Sequence, residues 1–454
     1  MTHTILVAGA SGYIGRALIS RLRSKFPSSR IIGLSRGASP SAQSEADWIS
    51  CDLFSVESLQ SALPTKIDVA YYLVHSMGST ARLDQGSFAD YDLILADNFA
   101  RVLKTRQVGR LIYLGGLVPE GSLLSEHLRS RREVEEVFQG YGLAPTCFRA
   151  GLILGEQGSS SQILLKLVRR LPLMVCPSWT QTLTTPVELT RVIEALASAP
   201  RDPANIGKTY DLAGCAPITY IEMMKQTAKQ LGLRRYFLRV PFFSPTLSKL
   251  WVRLISNSPK GLVYPLVESL EHPMVARKDF VFGGPQTLEP SYSEMLKHIS
   301  LGALSARKIY RAGTTRNTVR SVQRLPLPAG ATALDVVQIY GQWLTDTLKP
   351  LVRVHFSSPW MIFFLLFRDW SLLRLRLRPE LSDNTRQTLQ IVDGLLVSKT
   401  NQGVFEFRIV LNGRFVLAAI HDYHPSLPWY VYRMTQAPLH LIVMKVFGWH
   451  LKRR

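Results

Sequence analysis

Gly9-Ala10-Ser11-Gly12-Tyr13-Ile14-Gly15 follows directly on the apolar run Thr4-Ile5-Leu6-Val7-Ala8 and opens an amphipathic stretch. This order predicts a strand, a tight turn and a helix whose first N–H groups face an anion, the arrangement that cradles a dinucleotide pyrophosphate. Gly9 permits the turn, Gly12 lets the backbone approach the phosphates, and Gly15 lets the helix pack against the strand. Ser11, Tyr13 and Ile14 complete the loop. A glycine pattern alone is weak evidence, and three further segments in the expected order give it weight.

Arg30-Ile31-Ile32-Gly33-Leu34-Ser35-Arg36 predicts a second strand, ending where an NAD-selective chain offers an acid to the adenosine ribose. Ser35 and Arg36 stand there instead. A hydroxyl and a guanidinium suit a 2′-phosphate, so NADP(H) is expected and NAD(H) disfavoured, the bland alternative being a solvated Arg36. Trp48-Ile49-Ser50-Cys51-Asp52-Leu53 predicts a third strand, with Asp52, beside Leu53, placed to reach an adenine amino group. Val69 to Ser76 is a continuous apolar run of the kind buried on both faces of a parallel sheet. Its polar end, His75-Ser76, falls at the carboxyl edge where ligands sit. The fold class expected is α/β, a Rossmann-type doubly wound parallel sheet.

The order glycine loop, Arg36, Asp52, His75-Ser76 resembles the short-chain dehydrogenase/reductase superfamily in its extended or atypical branches. The resemblance covers roughly residues 1–295, with Leu111 to Leu117 as the fifth strand and Pro145 to Gly151 as the sixth. Standard members place a catalytic Ser after strand five and a Tyr-x-x-x-Lys pair on the next helix. Here the strand ends in Gly115-Gly116, and His127 and Arg131 stand at the spacing of that Tyr and Lys. The combination is similar to the atypical YbjT-like subgroup of bacterial proteins, which keep the nucleotide site and lack the standard catalytic residues.

Four residues apart, His127 and Arg131 share one face of a helix. Arg131 is expected to donate to the nicotinamide ribose as the family Lys does. It stays charged, cannot shuttle a proton at neutral pH, and would favour a neutral His127. His127 is the candidate acid for hydride transfer. The alternative is a polar helix face that merely orders the cofactor loop.

Thr184 to Leu189 and Gly207 to Gly214 look like the late segments that form a small substrate subdomain over the nicotinamide end. Trp179 and Gln181 are pocket candidates on position alone. Phe242 to Ile255 predicts a helix with Leu247, Leu250, Trp251 and Leu254 on a core face. The domains expected are 1–295 for the dinucleotide, 296–330 as a basic connector and 331–454 as an α+β domain. In the connector, Arg307, Lys308, Arg311, Arg316, Arg320 and Arg324 recur, and no acid occurs from Ala303 to Pro328. In the last domain Leu373 to Arg378 alternates strictly, and Asn412-Gly413 between two alternating runs predicts a hairpin. A helix from about Pro438 to Lys452 follows. Antiparallel strands curled around such a helix resemble, in architecture alone, the helix-grip, START-like modules. The tail, including Phe405-Glu406-Phe407-Arg408 and Leu427 to Tyr430, resembles the uncharacterised domain that often follows the dehydrogenase domain in YbjT-like proteins. His421, Asp422, His424 and His440 form no compact ligand set, and no metal is expected.

Length 454, mean hydropathy +0.07 and 46% hydrophobic residues suit more than one folded domain. Cys51, Cys147, Cys176 and Cys215 lie in or beside apolar runs without metal-type spacing, and read as reduced core thiols of a cytoplasmic protein. The first apolar run lacks a basic flank and cleavage site, so no targeting signal is expected. The outlier is charge: 54 Lys and Arg against 33 Asp and Glu, formally +21. No nucleic-acid motif is present, which leaves an anionic membrane surface as the candidate partner. Ser358 to Phe367 is apolar but half the length of a span, and it reads either as a surface-docking segment or as a buried element. Two functions fit: an NADP(H)-dependent oxidoreductase acting on an apolar carbonyl or quinone-like substrate, or a non-catalytic NADP(H)-binding redox sensor whose last domain carries a lipid or partner.

Overall fold

Apolar β-rich runs alternating with amphipathic helices build the first of two compact units, formed by residues 1–78 and 98–311. The computed structural model describes residues 3–36, 45–76, 81–119, 121, 124–240, 245–257, 260–299, 316–349, 352–365, 370–398 and 403–454. Strands β1 (Thr4–Ala8), β2 (Arg30–Ser35), β3 (Asp47–Ser50), β4 (Val69–Tyr72), β6 (Arg110–Gly116), β7 (Thr146–Ala150) and β12 (Thr209–Leu212) form one parallel sheet in the order β12-β7-β6-β4-β1-β2-β3. The order reverses at β1, the switch point where α/β sheets bind ligands beyond their carboxyl ends. The crossover helices include α1 (Tyr13–Lys25), α2 (Val56–Ala62), α3 (Phe88–Thr105), α4 (Glu126–Gly140) and α6 (Leu189–Ser198). This is the Rossmann-type fold the glycine loop predicted. Strands β1, β4 and β6 are buried almost throughout, as their unbroken apolar runs required.

Past β7 the chain builds a second core over helices α5 (Ser159–Arg170), α7 (Tyr220–Gln230), α8 (Pro245–Ser256), α9 (Lys260–Ser269) and α10 (Tyr292–Lys297). Strands β9 (Leu173–Cys176) and β14 (Tyr236–Arg239) pair in parallel; β8 (Ile153–Leu154) pairs with β11 (Val187–Glu188), and β10 (Leu183–Thr184) with β13 (Ile218–Thr219). The helix predicted over Phe242 to Ile255 is α8, but the face expected to be buried is not: Leu250 and Leu254 are exposed, while Val252 and Ser256 are buried. Residues 242–244 and the side chains of Leu247 and Trp251 lie outside the described part. All four cysteines are buried and free.

The second unit comprises residues 79–97 and 312–454. Its sheet runs β16 (Val352–Ser357), β17 (Trp360–Leu365), β18 (Trp370–Leu377), β19 (Arg386–Asp393), β20 (Val404–Val410), β21 (Phe415–Tyr423), β15 (Arg316–Pro326) and β5 (Ala81–Gln85), antiparallel except for the last pair. Helices α11 (Ala333–Leu348), α12 (Trp429–Met434) and α13 (Gln436–Lys452) complete an α+β unit. The Asn412-Gly413 hairpin joins β20 to β21, with Leu411, Asn412 and Gly413 all in the left-handed region.

Two features depart from the sequence reading. The unit takes a strand and the first half of α3 from residues 79–97, inside the stretch expected to belong wholly to the dinucleotide domain. The connector expected at 296–330 also contains the 11-residue strand β15. Within it Arg320 is buried 3.9 Å from Asp422, and Arg324 bonds Asp90 at 2.8 Å, so these two cations face inward partners rather than an anionic surface. Arg307, Lys308 and Arg311 fall outside the described residues. The apolar run Ser358 to Phe367 is largely β17, a strand paired on both sides, with Met361 and Phe363 in the core. Among the described residues no helix is long and apolar enough to cross a membrane.

Candidate active site

Gly9 adopts φ +85°, and a Cβ there would lie 2.9 Å from the Leu73 carbonyl carbon. A Cβ on Gly15 would come within 2.3 Å of the Gly9 oxygen. Both glycines are therefore demanded by contact, the first by the turn and the second by the close packing of α1 on it. Gly12 donates its N–H to Gly9 O at 3.1 Å and stands as N-cap of α1, whose first turn carries no acid. Ser11, Tyr13 and Ile14 flank it, and Arg16 Nη1 braces the turn by donating to Ser11 O at 2.5 Å. A helix start of this kind, without acid and with uncapped N–H groups, accepts a pyrophosphate.

The carboxyl ends of the parallel strands bring the other expected nucleotide residues to the same edge. Ser35 is buried at the end of β2 and Arg36 exposed just beyond it. Asp52 is buried past β3, its Oδ1 accepting the Phe54 N–H at 3.2 Å. The loop is held by a residue the sequence reading passed over: Asn98 Nδ2 donates to both Leu53 O and Phe54 O at 2.8 Å.

Beyond β4 the site contains a hydrogen-bonded chain of side chains. His75 Nε2 lies 3.1 Å from His127 Nε2, and His127 Nδ1 lies 2.8 Å from Ser269 Oγ. Ser269, buried at the end of α9, donates its single hydroxyl proton to Pro265 O at 3.0 Å. With that proton on Pro265, Ser269 Oγ can accept from Nδ1–H of His127, whose Nε2 is the nitrogen that faces His75. Ser125, the N-cap of α4, adds a contact to Ser269 Oγ at 3.2 Å and accepts the Leu128 N–H. The two imidazoles are within hydrogen-bond distance of each other.

Arg131 is placed differently from His127. It is 5% exposed, its Nη1 donates to Val74 O at 3.2 Å and its Nη2 to Leu114 O at 2.8 Å, and its guanidinium carbon lies 5.1 Å from the Tyr113 ring centroid. These bonds tie the ends of β4 and β6 together. The sequence reading takes Arg131 as a cofactor and catalytic candidate, with a merely ordering helix face as the alternative, and names neither of these carbonyl partners.

His127 opens on a cavity of about 130 Å³ that is almost wholly apolar. Leu164 and Leu167 of α5, Met223 and Met224 of α7, Val252 of α8 and Val263 and Val267 of α9 line it, with Gly116 and Trp179. Gly116, standing near where standard relatives place a serine, leaves space beside Arg131. Trp179 was expected here; Gln181 is exposed instead. Tyr220 also lines the cavity, and burial pushes its hydroxyl up, so it stays protonated. Ser269 and the lining helices were not legible as site residues, because they come together only through tertiary packing. Among the described residues no group of three or more His, Cys, Asp or Glu could hold a metal.

Comparisons with known proteins agree with the glycine loop and the sheet. Residues 5–122 match the NAD dependent epimerase/dehydratase family. The auxiliary protein GraX of Staphylococcus aureus is 32% identical over 124 residues, 26% of this chain, and the chain spans 37% of that relative's length. Among solved structures, the NADPH-dependent quinone oxidoreductase of Escherichia coli, complexed with NADPH, covers 65% of this chain and 99% of its own at 18% identity and TM-score 0.51. The Citrobacter triphenylmethane reductase, complexed with NADP(H), covers 64% and 99% at 18% identity and TM-score 0.50. A nucleoside-diphosphate-sugar epimerase of Staphylococcus aureus covers 65% and 100% at 13% identity and TM-score 0.51. At these identities the shared property is the nucleotide-binding fold.

Proposed function

We propose that the first unit binds NADP(H) and reduces an apolar carbonyl or quinone-like acceptor. The observation that carries this reading is the His75–His127 pair at the edge of an apolar cavity beyond the carboxyl ends of β4 and β6. The glycine turn would hold the pyrophosphate, Ser35 and Arg36 the 2′-phosphate, and Asp52 the adenine. When bound, the reduced dinucleotide supplies a hydride. The acceptor carbonyl would gain that hydride at carbon, or at the ring system of a quinone, and its oxygen would take one proton from the imidazole pair, which holds one proton beyond those of its two neutral rings. The transfer leaves both imidazoles neutral, and the pair takes its next proton from solvent. The cavity lining excludes water from the acceptor, and Ser269 holds the imidazole in the productive tautomer.

Neighbours of this fold that are described as NADPH-dependent quinone oxidoreductase and NADP(H)-complexed triphenylmethane reductase support the choice of cofactor and reaction class. One observation favours the non-catalytic reading, a redox sensor: Arg131, at the spacing of the family lysine, spends two guanidinium nitrogens on backbone carbonyls. Stopped-flow oxidation of bound NADPH by a panel of quinones and aldehydes decides between them. His127→Gln should keep NADPH affinity and cut turnover by about 10²-fold, the usual size of a general-acid effect. No turnover with any acceptor in the unmodified protein transfers the weight to the sensor. Met361 and Phe363 of the run near β17 pack in the core and Arg320 and Arg324 have internal partners, while Arg307, Lys308 and Arg311 of the connector lie outside the described residues.

A further inference from the structure

The cap over the cavity concentrates the charge of this chain. Residues 157–187 and 223–267 contain eleven Lys and Arg and no Asp or Glu, against a net +21 for the whole protein. These stretches form α5, β9, α7 from Met223 on, β14, α8 and most of α9, with Glu222 and Glu268 just outside them, and the inner faces of the four helices line the apolar cavity. Their outer side is not simply polar. Leu173 is 53% exposed, Tyr236 72%, Leu238 52% and Leu254 67%.

Hydrogen bonds draw these residues to one place, the carboxyl end of α5. Tyr236 N donates to Pro172 O, Arg235 donates to Val168 O and Arg169 O, and Arg170 Nη1 donates to Ile255 O. Around the apolar side chains stand Arg169, Arg170, Arg234, Arg239 and Arg253, all exposed. Exposed leucines and a tyrosine set among arginines, with no carboxylate in either stretch, match an anionic lipid bilayer: the apolar groups enter the headgroup boundary and each cation gains from the surface potential. A nucleic acid would leave the leucines in water.

We propose that this face of the cap docks on an anionic bilayer, so that the cavity takes its apolar acceptor from the lipid phase. The docking itself is independent of the reductase reading; the delivery of substrate rests on it. Helices α5 and α8 serve both faces, presenting Leu164, Leu167 and Val252 inward and Arg169, Arg170, Arg253 and Leu254 outward.

Flotation of the full chain with phosphatidylcholine vesicles, with and without phosphatidylglycerol, tests the docking. Binding is expected only with the anionic lipid at low salt, and should fall by about tenfold at high salt. The double variant Tyr236→Glu/Leu254→Glu should lose about tenfold in binding while its NADPH titration is unchanged, which shows that it folds. Absence of wild-type binding at low salt overturns the proposal, as does wild-type binding by the double variant. So does a loss that follows Ile442→Glu/Trp449→Glu on α13 alone, or a cap variant that changes self-association in sedimentation velocity and leaves vesicle binding intact. Two acceptors separate docking from catalysis: a water-soluble short-chain quinone should be reduced equally by wild type and cap variant, whereas a long-tailed prenyl quinone dissolved in the vesicles should be reduced about tenfold more slowly by the variant. Equal rates with the vesicle-borne quinone overturn the delivery step. If neither quinone is reduced by wild type, the reductase reading fails while flotation still decides the docking.

Discussion

A single hydroxyl bears on which nitrogen of His127 carries the proton. Ser269 Oγ lies 2.8 Å from Nδ1 and is itself anchored on Pro265 O. Ser269→Ala removes the acceptor, and the ring is then free to turn or to exchange tautomers. Turnover should fall by about tenfold with NADPH affinity unchanged and the pH profile displaced, and Ser269→Thr should restore both; the check is the pH dependence of kcat for the three proteins. A second change at this scale concerns the cofactor. If Arg36 holds the 2′-phosphate as proposed, Arg36→Asp sets a repelling carboxylate there, so NADPH binding should weaken by ~1.5–3 kcal/mol while NADH binding changes little, as read by calorimetric titration with both nucleotides. His127 and Arg36 could be named as candidates because motif spacing places them at fixed offsets from strands. Ser269 was not, since it lies 142 residues from His127 and only the packing of α9 on α4 brings it there.

Strands were read well where burial on both faces left one interpretation. β1, β2, β4, β6 and β7 appear within a few residues of their apolar runs. The five-residue β5, Ala-Arg-Leu-Asp-Gln, has no such run, and its strand character comes from pairing with β15 more than 230 residues away, as Gln85 opposite Ser321 shows. The misjudged face of α8 has a different cause. Apolar residues lie on two sides of that helix, and periodicity cannot tell which of two such sides meets the core. The β1–α1 turn yields the prediction at this scale. Gly15→Ala puts a Cβ within 2.3 Å of a backbone oxygen that cannot move without opening the turn. The variant should lose ~1–3 kcal/mol of stability and most of its dinucleotide affinity, measured by urea denaturation and NADPH fluorescence titration.

Across the molecule, a net charge of +21 does not mean that every cation seeks an outside partner. In the second unit the alternation of β20 sends Phe405 and Phe407 into the apolar core and Glu406 and Arg408 to the opposite face. There Arg386 Nη2 meets Glu406 at 2.6 Å, Arg408 Nη2 meets it at 2.9 Å, and Arg408 Nη1 meets Asp97 at 2.7 Å, all buried. Burial alone would raise the Glu406 carboxyl, but Arg386 and Arg408, with His421 nearby, outweigh it and bring it down to about 2. Unfolded, the same group titrates near ~4.3. As pH falls below that value the unfolded chain binds the proton that the folded unit still refuses, so this contribution to stability is complete above ~4.3 and drains away toward pH 2. Glu406→Gln leaves two buried guanidinium groups short of a counter-charge and should destabilise the second unit by ~3–5 kcal/mol at neutral pH. The same variant should also flatten the acid dependence of its urea midpoint between pH 5 and 2. A variant that keeps the wild-type midpoint at neutral pH, or the full acid slope, would show that the arginines do not depend on Glu406 for their burial.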